Sequence, residues 1–137
     1  MAQKNKDLKI PAPPQTPQKL AFSFQFYDDR DESKYCLSAW EQTEIKMALK
    51  RLKEISALNH NEMQQRSRVL HFHAVDWSQA SETKFPNGAP SKEAYQFSLQ
   101  GINGQKARVF GAYYQGVFHI VWFDREHSVW PTELKNT

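Results

Sequence analysis

The chain has 137 residues, of which 39% are hydrophobic and 13% aromatic, a composition that is typical of one folded domain and excludes a disordered protein. Its net charge of +3 is already present in residues 1–20, where four lysines stand against one aspartate, so the remaining 14 basic and 14 acidic residues cancel. This neutrality excludes a uniformly basic surface, and any nucleic-acid site would have to be a local cluster of cations.

Targeting and cofactor signals are missing from the sequence. No apolar run approaches the roughly 18 residues that cross a bilayer, and the N-terminal lysines are not followed by the apolar segment of a secretory signal. The single cysteine, Cys36, cannot form an internal disulfide. We therefore expect a cytoplasmic protein that does not contact a membrane, and neither a cofactor nor a metal.

The N-terminal part of the chain changes character at residue 20. Residues 1–19 are rich in proline and lysine and predict a disordered arm, because they cannot bury enough surface to offset the entropy of ordering. Residues 20–137 are predicted to form a single domain. It opens with a strand over Leu20–Tyr27, where alternation with a period of two places Leu20, Phe22, Phe24 and Phe26 on one buried face.

A helical region follows. From about residue 34 to residue 57, apolar side chains recur at steps of three to five, which predicts a short first helix and a longer second one. Ser38 and Glu41 fit a capping box at the junction, and Asn61 is a candidate cap for a further short turn. Residues 68–77 are strand-like, and residues 78–92, which contain Pro86, Asn87, Gly88 and Pro90, predict a long loop.

The C-terminal part has the clearest pattern. Three strands are predicted over Ala94–Gln100, Lys106–Tyr114 and Val117–Phe123, with tight turns at residues 101–104 and at Gln115-Gly116. The fold class is therefore α+β: an N-terminal strand and a helical hairpin packed on a C-terminal antiparallel β-meander. Apolar residues on both faces of the meander indicate that helices cover one side.

The segment from Lys106 to His127 combines an arginine that opens a strand, a tight turn, an apolar strand and a polar end with a histidine. It resembles the last two strands of RelE/ParE-superfamily toxins, in particular the HigB-like branch. The motif likeness covers residues 94–131, and the order of elements is similar from residue 20 onward. The resemblance implies a RelE-like domain that acts as the toxin of a type II toxin–antitoxin system of a bacterium or phage. Such a toxin cuts mRNA without a metal, often on the ribosome, and is inhibited by an antitoxin protein.

RNA cleavage of this kind uses the ribose 2′-hydroxyl as the nucleophile, so it needs a base, a proton donor, positive charge at the phosphate and a ring that stacks a base. Arg108 matches the arginine of the family pattern and is the candidate for clamping the phosphate. His127 is the candidate for proton transfer, with Lys106 adding charge and Tyr113 holding a proton. Candidates for binding RNA are Arg125, Tyr114 and Tyr95. Because Tyr113 and Tyr114 are neighbours on a strand, at most one of them is expected to line the site.

Structural roles compete with these assignments. Arg108 could instead pair with Glu126 or Asp124, and His127 could be an ordinary surface histidine. His119 is expected to face the core or the helix layer, and Cys36 is interpreted as a small buried residue. His71, His73 and Asp76 form a compact group, but two histidines without a well-placed third ligand are a weak metal signal, so hydrogen bonds that anchor a loop are favoured.

A second function class stays open beside the nuclease. The same fold could serve as a non-catalytic protein-interaction module, as in ParE-like relatives that act on DNA gyrase, or as a regulator encoded by a mobile element. Convergence of Arg108, His127 and a tyrosine on one open face would favour the nuclease. An Arg108 held in other bonds, with His127 turned away, would favour binding.

Overall fold

A computed structural model of the chain describes residues 18–31 and 33–130, so nearly all of the predicted arm lies outside the described residues. The described residues form a mixed structure of helices and one five-stranded, mostly antiparallel sheet, which confirms the α+β class. Within them, no helix has the length and apolar content that a membrane span requires.

The elements follow the predicted order with different lengths. The strands are β1 (Ala21–Ser23), β2 (His73–Ala74), β3 (Ala94–Ser98), β4 (Arg108–Tyr114) and β5 (Val117–Asp124). The α-helices are α1 (Gln42–Ile55), α2 (His60–Gln65) and α3 (Ser67–Leu70). Short 3-10 turns occur at Leu37–Ala39, Trp77–Gln79 and Ser91–Glu93.

The sheet has the strand order β1-β5-β4-β3-β2. Strands β3, β4 and β5 form the predicted antiparallel meander, and β1 lies parallel beside β5 with Ala21 opposite Val117. Gln115 and Gly116 close the β4–β5 hairpin with φ values of 56° and 78°, the pair of positive angles that a two-residue turn of type I′ needs. The predicted turn is therefore correct.

A bulge between Phe110 and Gly111 shifts the pairing of β4 with β5. A Cβ atom at Gly111 would lie 2.3 Å from the carbonyl oxygen of His119 and 2.5 Å from Cε1 of Phe118. The two strands approach so closely that only glycine fits at this position. The bulge thus depends on one residue.

Helix α1 covers one face of the sheet. Its buried residues Ala48, Leu52 and Ile55 belong to the same core as Phe97 of β3 and Ile120 of β5. The helix begins at Gln42 because the Glu44 side chain accepts a hydrogen bond of 3.0 Å from the backbone N–H of Glu41.

Two predicted features of the helical region are wrong. Residues 34–41 contain one 3-10 turn and no α-helix, and the capping box joins Glu41 to Glu44 instead of Ser38 to Glu41. Trp40 has an extended backbone before the helix, and its ring packs edge-on against Phe123 at 5.9 Å between centroids.

Two predicted strands outside the meander are much shorter than their patterns suggest. The first ends at Ser23, because the chain turns with the N–H of Tyr27 bonded to the carbonyl of Phe24, which leaves Phe24 54% exposed. The strand-like residues 68–77 contain the end of α3 and only two residues of β2. The cap of α2 is Asn59 and not Asn61: its Oδ1 accepts from the N–H of Glu62 at 2.9 Å.

A second core lies on the sheet face opposite α1. Tyr35, Phe85 and Val129 pack there around Trp122 of β5, with Trp77 at its margin. Loop residues between 75 and 93 therefore take the place of a helix layer on this face.

Asp28 connects the segment after β1 to this core. Its carboxylate is fully buried and accepts hydrogen bonds from the indole Nε1 of Trp122 at 2.8 Å and from Nε of Arg30 at 2.7 Å. The hydrogen bonds from Arg30, followed by those from Trp122 and Ser33, outweigh the effect of burial and lower the pKa of Asp28 from 3.8 to about 2.

Asp28→Asn tests this anchor. A lowered pKa means that the ionised form stabilises the fold, fully above pH 3.8 and progressively less as the pH falls toward 2. The variant should lose about 2 kcal/mol of unfolding free energy at neutral pH, the value of a shift of this size. Urea denaturation at neutral and acid pH measures both effects.

The control for this experiment is Asp29→Asn, a change at the exposed neighbouring residue. It should leave the denaturation midpoint nearly unchanged. Equal destabilisation by the two substitutions at neutral pH would contradict the role given to Asp28.

Candidate functional site

Arg108 lies at the start of β4, opposite Ser98 of β3 and Asp124 of β5. The residue is only 7% exposed. Its Nη1 donates to the backbone carbonyls of Gln105 at 2.7 Å and Ala107 at 3.2 Å. The guanidinium is therefore held toward the β3–β4 turn in one fixed orientation.

His71 and His73 lie at the edge of the sheet near Arg108. His71 ends α3 in the left-handed conformation with φ of 54°, and His73 opens β2 opposite Gln96. The buried ring of Phe72 between them stacks on Tyr95 at 5.0 Å and thereby fixes both neighbours. The two imidazole centroids are 6.4 Å apart, and both residues are exposed.

The electrostatics connect these histidines to Arg108. Partial burial of the rings lowers the pKa of both His71 and His73 below 6.5, and the positive charge of Arg108 is the next largest cause in each case. The charge of Arg51 contributes further to the lowered pKa of His71. Both imidazoles are therefore neutral at neutral pH and lie within the field of Arg108.

Arg51 reaches the same edge from α1. It is 9% exposed, and its Nε and Nη2 donate to the carbonyl oxygen of Ser98 at 3.0 Å and to the Ser98 hydroxyl at 3.2 Å. β2 pairs with β3 only at Tyr95 and Gln96, so the carbonyl of Ser98 has no strand beside it and the guanidinium takes that position. Burial lowers the pKa of Arg51.

Gln96 adds a polar acceptor between the histidines and Arg108. It lies on the same sheet face as Arg108, opposite His73, and is 2% exposed. Its Oε1 accepts no hydrogen bond from the described part of the chain. We define the edge site by five residues, Arg51, His71, His73, Gln96 and Arg108.

His127 is at the same end of the sheet but is 5% exposed, with a left-handed backbone at φ of 56°. The carboxylate of Asp124 holds this turn by accepting from the backbone N–H of Ser128 at 3.1 Å and of Val129 at 2.8 Å. A side chain that transfers a proton to a substrate must be accessible from solvent. The burial of His127 therefore argues against its predicted role in proton transfer.

The two other cations predicted near Arg108 have different surroundings. Arg125 binds Glu44 at the start of α1, with Nη2 and Nε donating at 2.7 Å and 3.0 Å, and its Nη1 binds Glu126 at 2.7 Å. These bonds raise the pKa of Arg125 and lower that of Glu44. Arg125 thus connects β5 to α1, whereas Lys106 is an exposed residue of the β3–β4 turn.

The three predicted tyrosines lie together at the opposite end of the strands. Tyr95, Tyr113 and Tyr114 line a pocket of about 410 Å³ beside the β4–β5 turn. Tyr113 packs in the core that α1 covers and Tyr114 packs on the opposite face, as their alternation along the strand predicts, and both reach the pocket because it lies at the strand ends. Tyr113 is five positions after Arg108 in β4, which is roughly 17 Å at the usual rise per residue. The predicted set therefore does not converge on one pocket.

His60 is a pocket residue that the sequence pattern did not single out. Its Nδ1 lies 2.9 Å from the hydroxyl of Tyr113, and the two rings stack at 5.6 Å between centroids with 23° between planes. The residue stands at the first position of α2. His60 and Tyr113 are 53 residues apart in the sequence, so no local pattern predicts that they are in contact.

The remaining candidates have structural surroundings. Asp76 accepts from the backbone N–H of Ser78 at 3.0 Å and from its hydroxyl at 2.6 Å, which anchors a loop turn. The half-buried Cys36 lies 3.0 Å from the Ser38 hydroxyl. His119 stacks on Tyr114 at 4.9 Å, on the face opposite its neighbours Phe118 and Ile120. Among the described residues, no three His, Cys, Asp or Glu side chains are grouped to hold a metal ion.

Known proteins give no match to this chain. No family model matches it, and neither the curated proteins nor the solved structures include a significantly similar one. Functional assignment therefore depends on the geometry of the edge site and of the pocket.

Arg51→Gln tests the electrostatic coupling within the edge site. Removing this charge should raise the pKa of His71 toward 6.5, because Arg51 acts on His71, but should leave the pKa of His73 unchanged, because only burial and Arg108 lower it. Titration of the two imidazole resonances by NMR measures both values in one sample. A parallel rise at both histidines, or no change at His71, would contradict the arrangement.

Proposed function

We propose that the chain is a metal-independent endoribonuclease of RelE/ParE-like type whose proton-transferring groups are His71 and His73. The observation that carries the proposal is the placement of two exposed imidazoles 6.4 Å apart beside the buried guanidinium of Arg108. This set supplies the two proton carriers and the positive charge that RNA cleavage requires.

The two proton transfers need no other group. One imidazole, neutral, takes the proton of the ribose 2′-hydroxyl as its oxygen attacks the adjacent phosphorus. The second, protonated, gives its proton to the departing 5′-oxygen as the P–O5′ bond breaks. The products are a 2′,3′-cyclic phosphate and a 5′-hydroxyl. Arg108 and Arg51 face the negative charge that builds up on the phosphorane, and their fixed orientation avoids a reorganisation cost during the reaction.

The toxin part of the proposal has separate support. It depends on the resemblance of residues 106–127 to RelE/ParE-superfamily toxins and on the order of strand, helices and antiparallel meander, which agrees with what that resemblance implies. In this proposal the protein cleaves mRNA, with or without the ribosome, and an antitoxin protein inhibits it. Its expression should arrest growth through the edge site.

Arg108 and His127 are both buried and do not converge with a tyrosine, and this arrangement favours a second candidate, a non-catalytic binding module. Two of the bonds made by Nη1 of Arg108 go to backbone carbonyls, and little of its surface is open to a phosphate. In that function His71 and His73 would contribute to a contact surface without transferring protons. Cleavage assays separate the two candidates.

His73→Gln and His71→Gln test the nuclease. Each should lower kcat for cleavage of single-stranded RNA about 100-fold or more, the usual contribution of a general acid or base. Gel analysis of an end-labelled RNA measures the rate and detects the cyclic phosphate. Expression of each variant should no longer arrest growth.

The matched control for this experiment is Lys53→Gln, which changes an exposed side chain in the last turn of α1. It should cleave RNA and arrest growth as the wild type does. If the wild type arrests growth without cleaving RNA, and both histidine variants still arrest growth, the nuclease proposal is wrong and the protein is a binding module.

The pH dependence of cleavage provides a further prediction. The rate is highest between the pKa values of the base and the acid, and both imidazoles titrate below 6.5 in the free protein. A plot of kcat/KM against pH should therefore be bell-shaped, with its maximum below 6.5. A maximum on the alkaline side would exclude these two histidines as the acid and base.

A further inference from the structure

The pocket at the β4–β5 turn is a second site, distinct from the edge site. We call it the hairpin pocket; among its lining residues are His60, Asn61, Tyr95, Tyr113, Tyr114 and Gln115. Its volume of about 410 Å³ falls within the roughly 300–1,000 Å³ of small-ligand sites. Along β4, Tyr114 is six positions after Arg108, which is roughly 20 Å. The pocket lies closer to the two histidines, because its residue Tyr95 precedes Gln96 and stacks on Phe72, which lies between His71 and His73.

Two stacks of rings end in the hairpin pocket. His60 lies almost parallel to the buried Tyr113, and Tyr114 lies almost parallel to His119, with 25° between their planes. His60 is exposed and Tyr114 is half-buried, so each stack presents ring surface to the pocket. A third flat ring would extend either stack.

Besides tyrosine hydroxyls and the His60 imidazole, the pocket has three side-chain amides. Gln18, Asn61 and Gln115 line it, and none of the three side chains makes a hydrogen bond within the described residues. Each amide offers both a donor and an acceptor, the combination found on the edges of nucleobases. No Lys, Arg, Asp or Glu is among the described residues that line the pocket, so its preferred ligand is uncharged.

We propose that the hairpin pocket binds an unpaired nucleobase of single-stranded RNA, stacked on His60 or Tyr114 and hydrogen-bonded by the amides. RNA as the source of the base rests on the proposed function. The site selects the substrate class: a base that is paired in a duplex cannot enter, and a strand without bases has nothing to stack. His60 is oriented by its hydrogen bond to Tyr113, which makes Tyr113 a positioning residue.

Binding of fluorescein-labelled RNA, measured by anisotropy, tests the proposal. Three probes are used: a short single strand, the same strand in a duplex, and an abasic strand of equal length. The measurement is made in the full-length His73→Gln protein so that the probe stays intact. We expect tight binding of the single strand alone.

Substitutions identify the pocket as the site. Tyr114→Ala and His60→Ala should each weaken binding of the single strand about tenfold, as loss of one base–aromatic stack does. Tyr114→Phe keeps the ring and should bind as the parent does. Near-UV circular dichroism and the unfolding midpoint establish that each variant is folded. Unchanged affinity in folded Tyr114→Ala and His60→Ala, or equal binding of the abasic strand, would overturn the proposal.

Its failure is distinguishable from failure of the proposed function. If wild-type protein cleaves RNA and the pocket variants bind it normally, the nuclease stands and the pocket proposal is wrong. If the wild type binds the single strand through Tyr114 but never cleaves it, the pocket stands and the nuclease is wrong.

Discussion

The shortness of β2 is the constraint on which the edge site depends. β2 pairs with β3 at two positions only, although β3 continues to Ser98. A buried carbonyl without a partner is costly, so the Ser98 oxygen requires a donor, and the guanidinium of Arg51 supplies it. This bond brings a charge from α1 to the edge, where it acts on His71. A longer β2 would have covered Ser98 with backbone and placed His71 in a strand, and the group of imidazoles and guanidiniums would not exist.

The sequence predicted the meander well because its information is local. Alternating residues and a Gln-Gly turn lie close together along the chain, and the structure has the turn and three strands at the predicted positions. Strands β3 and β4 are each two residues shorter than predicted, and β5 is one residue longer. The alternation of Leu20–Tyr27 is equally clear, but the strand ends at Ser23 because a turn and the burial of Asp28 against Trp122 take over. That contact spans 94 residues, and no periodicity within either segment reports it.

The surroundings of the candidate site residues also depend on contacts that are distant in sequence. Arg108, Arg125 and Lys106 look alike as cations near strand ends, yet one is buried against carbonyls, one binds Glu44 and one is exposed. The position of Glu44, 81 residues before Arg125, decides which cation connects two elements. His71 and His73 were recognised as a pair but not as neighbours of Arg108, because β2 and β4 lie on opposite sides of β3 in the sheet and far apart in sequence. Residue types suggest which side chains could take part in the chemistry, but only the pairing of the strands shows which of these side chains lie together.

The two proposed sites make different contributions to the free energy of RNA binding. A neutral domain with two guanidiniums exposed by less than a tenth attracts a polyanion weakly over distance, so it can form few phosphate contacts of the kind that release counterions. In the proposed function, affinity for RNA therefore comes mainly from base stacking in the hairpin pocket, which is independent of charge. Burial of Arg51 and Arg108 has the opposite effect at short range, because a charge shielded from water acts more strongly on a phosphate that reaches it. Under the two proposals, the neutral pocket binds a base and the small cationic edge site acts on the phosphate. RNA binding then does not need the basic surface that the sequence excludes.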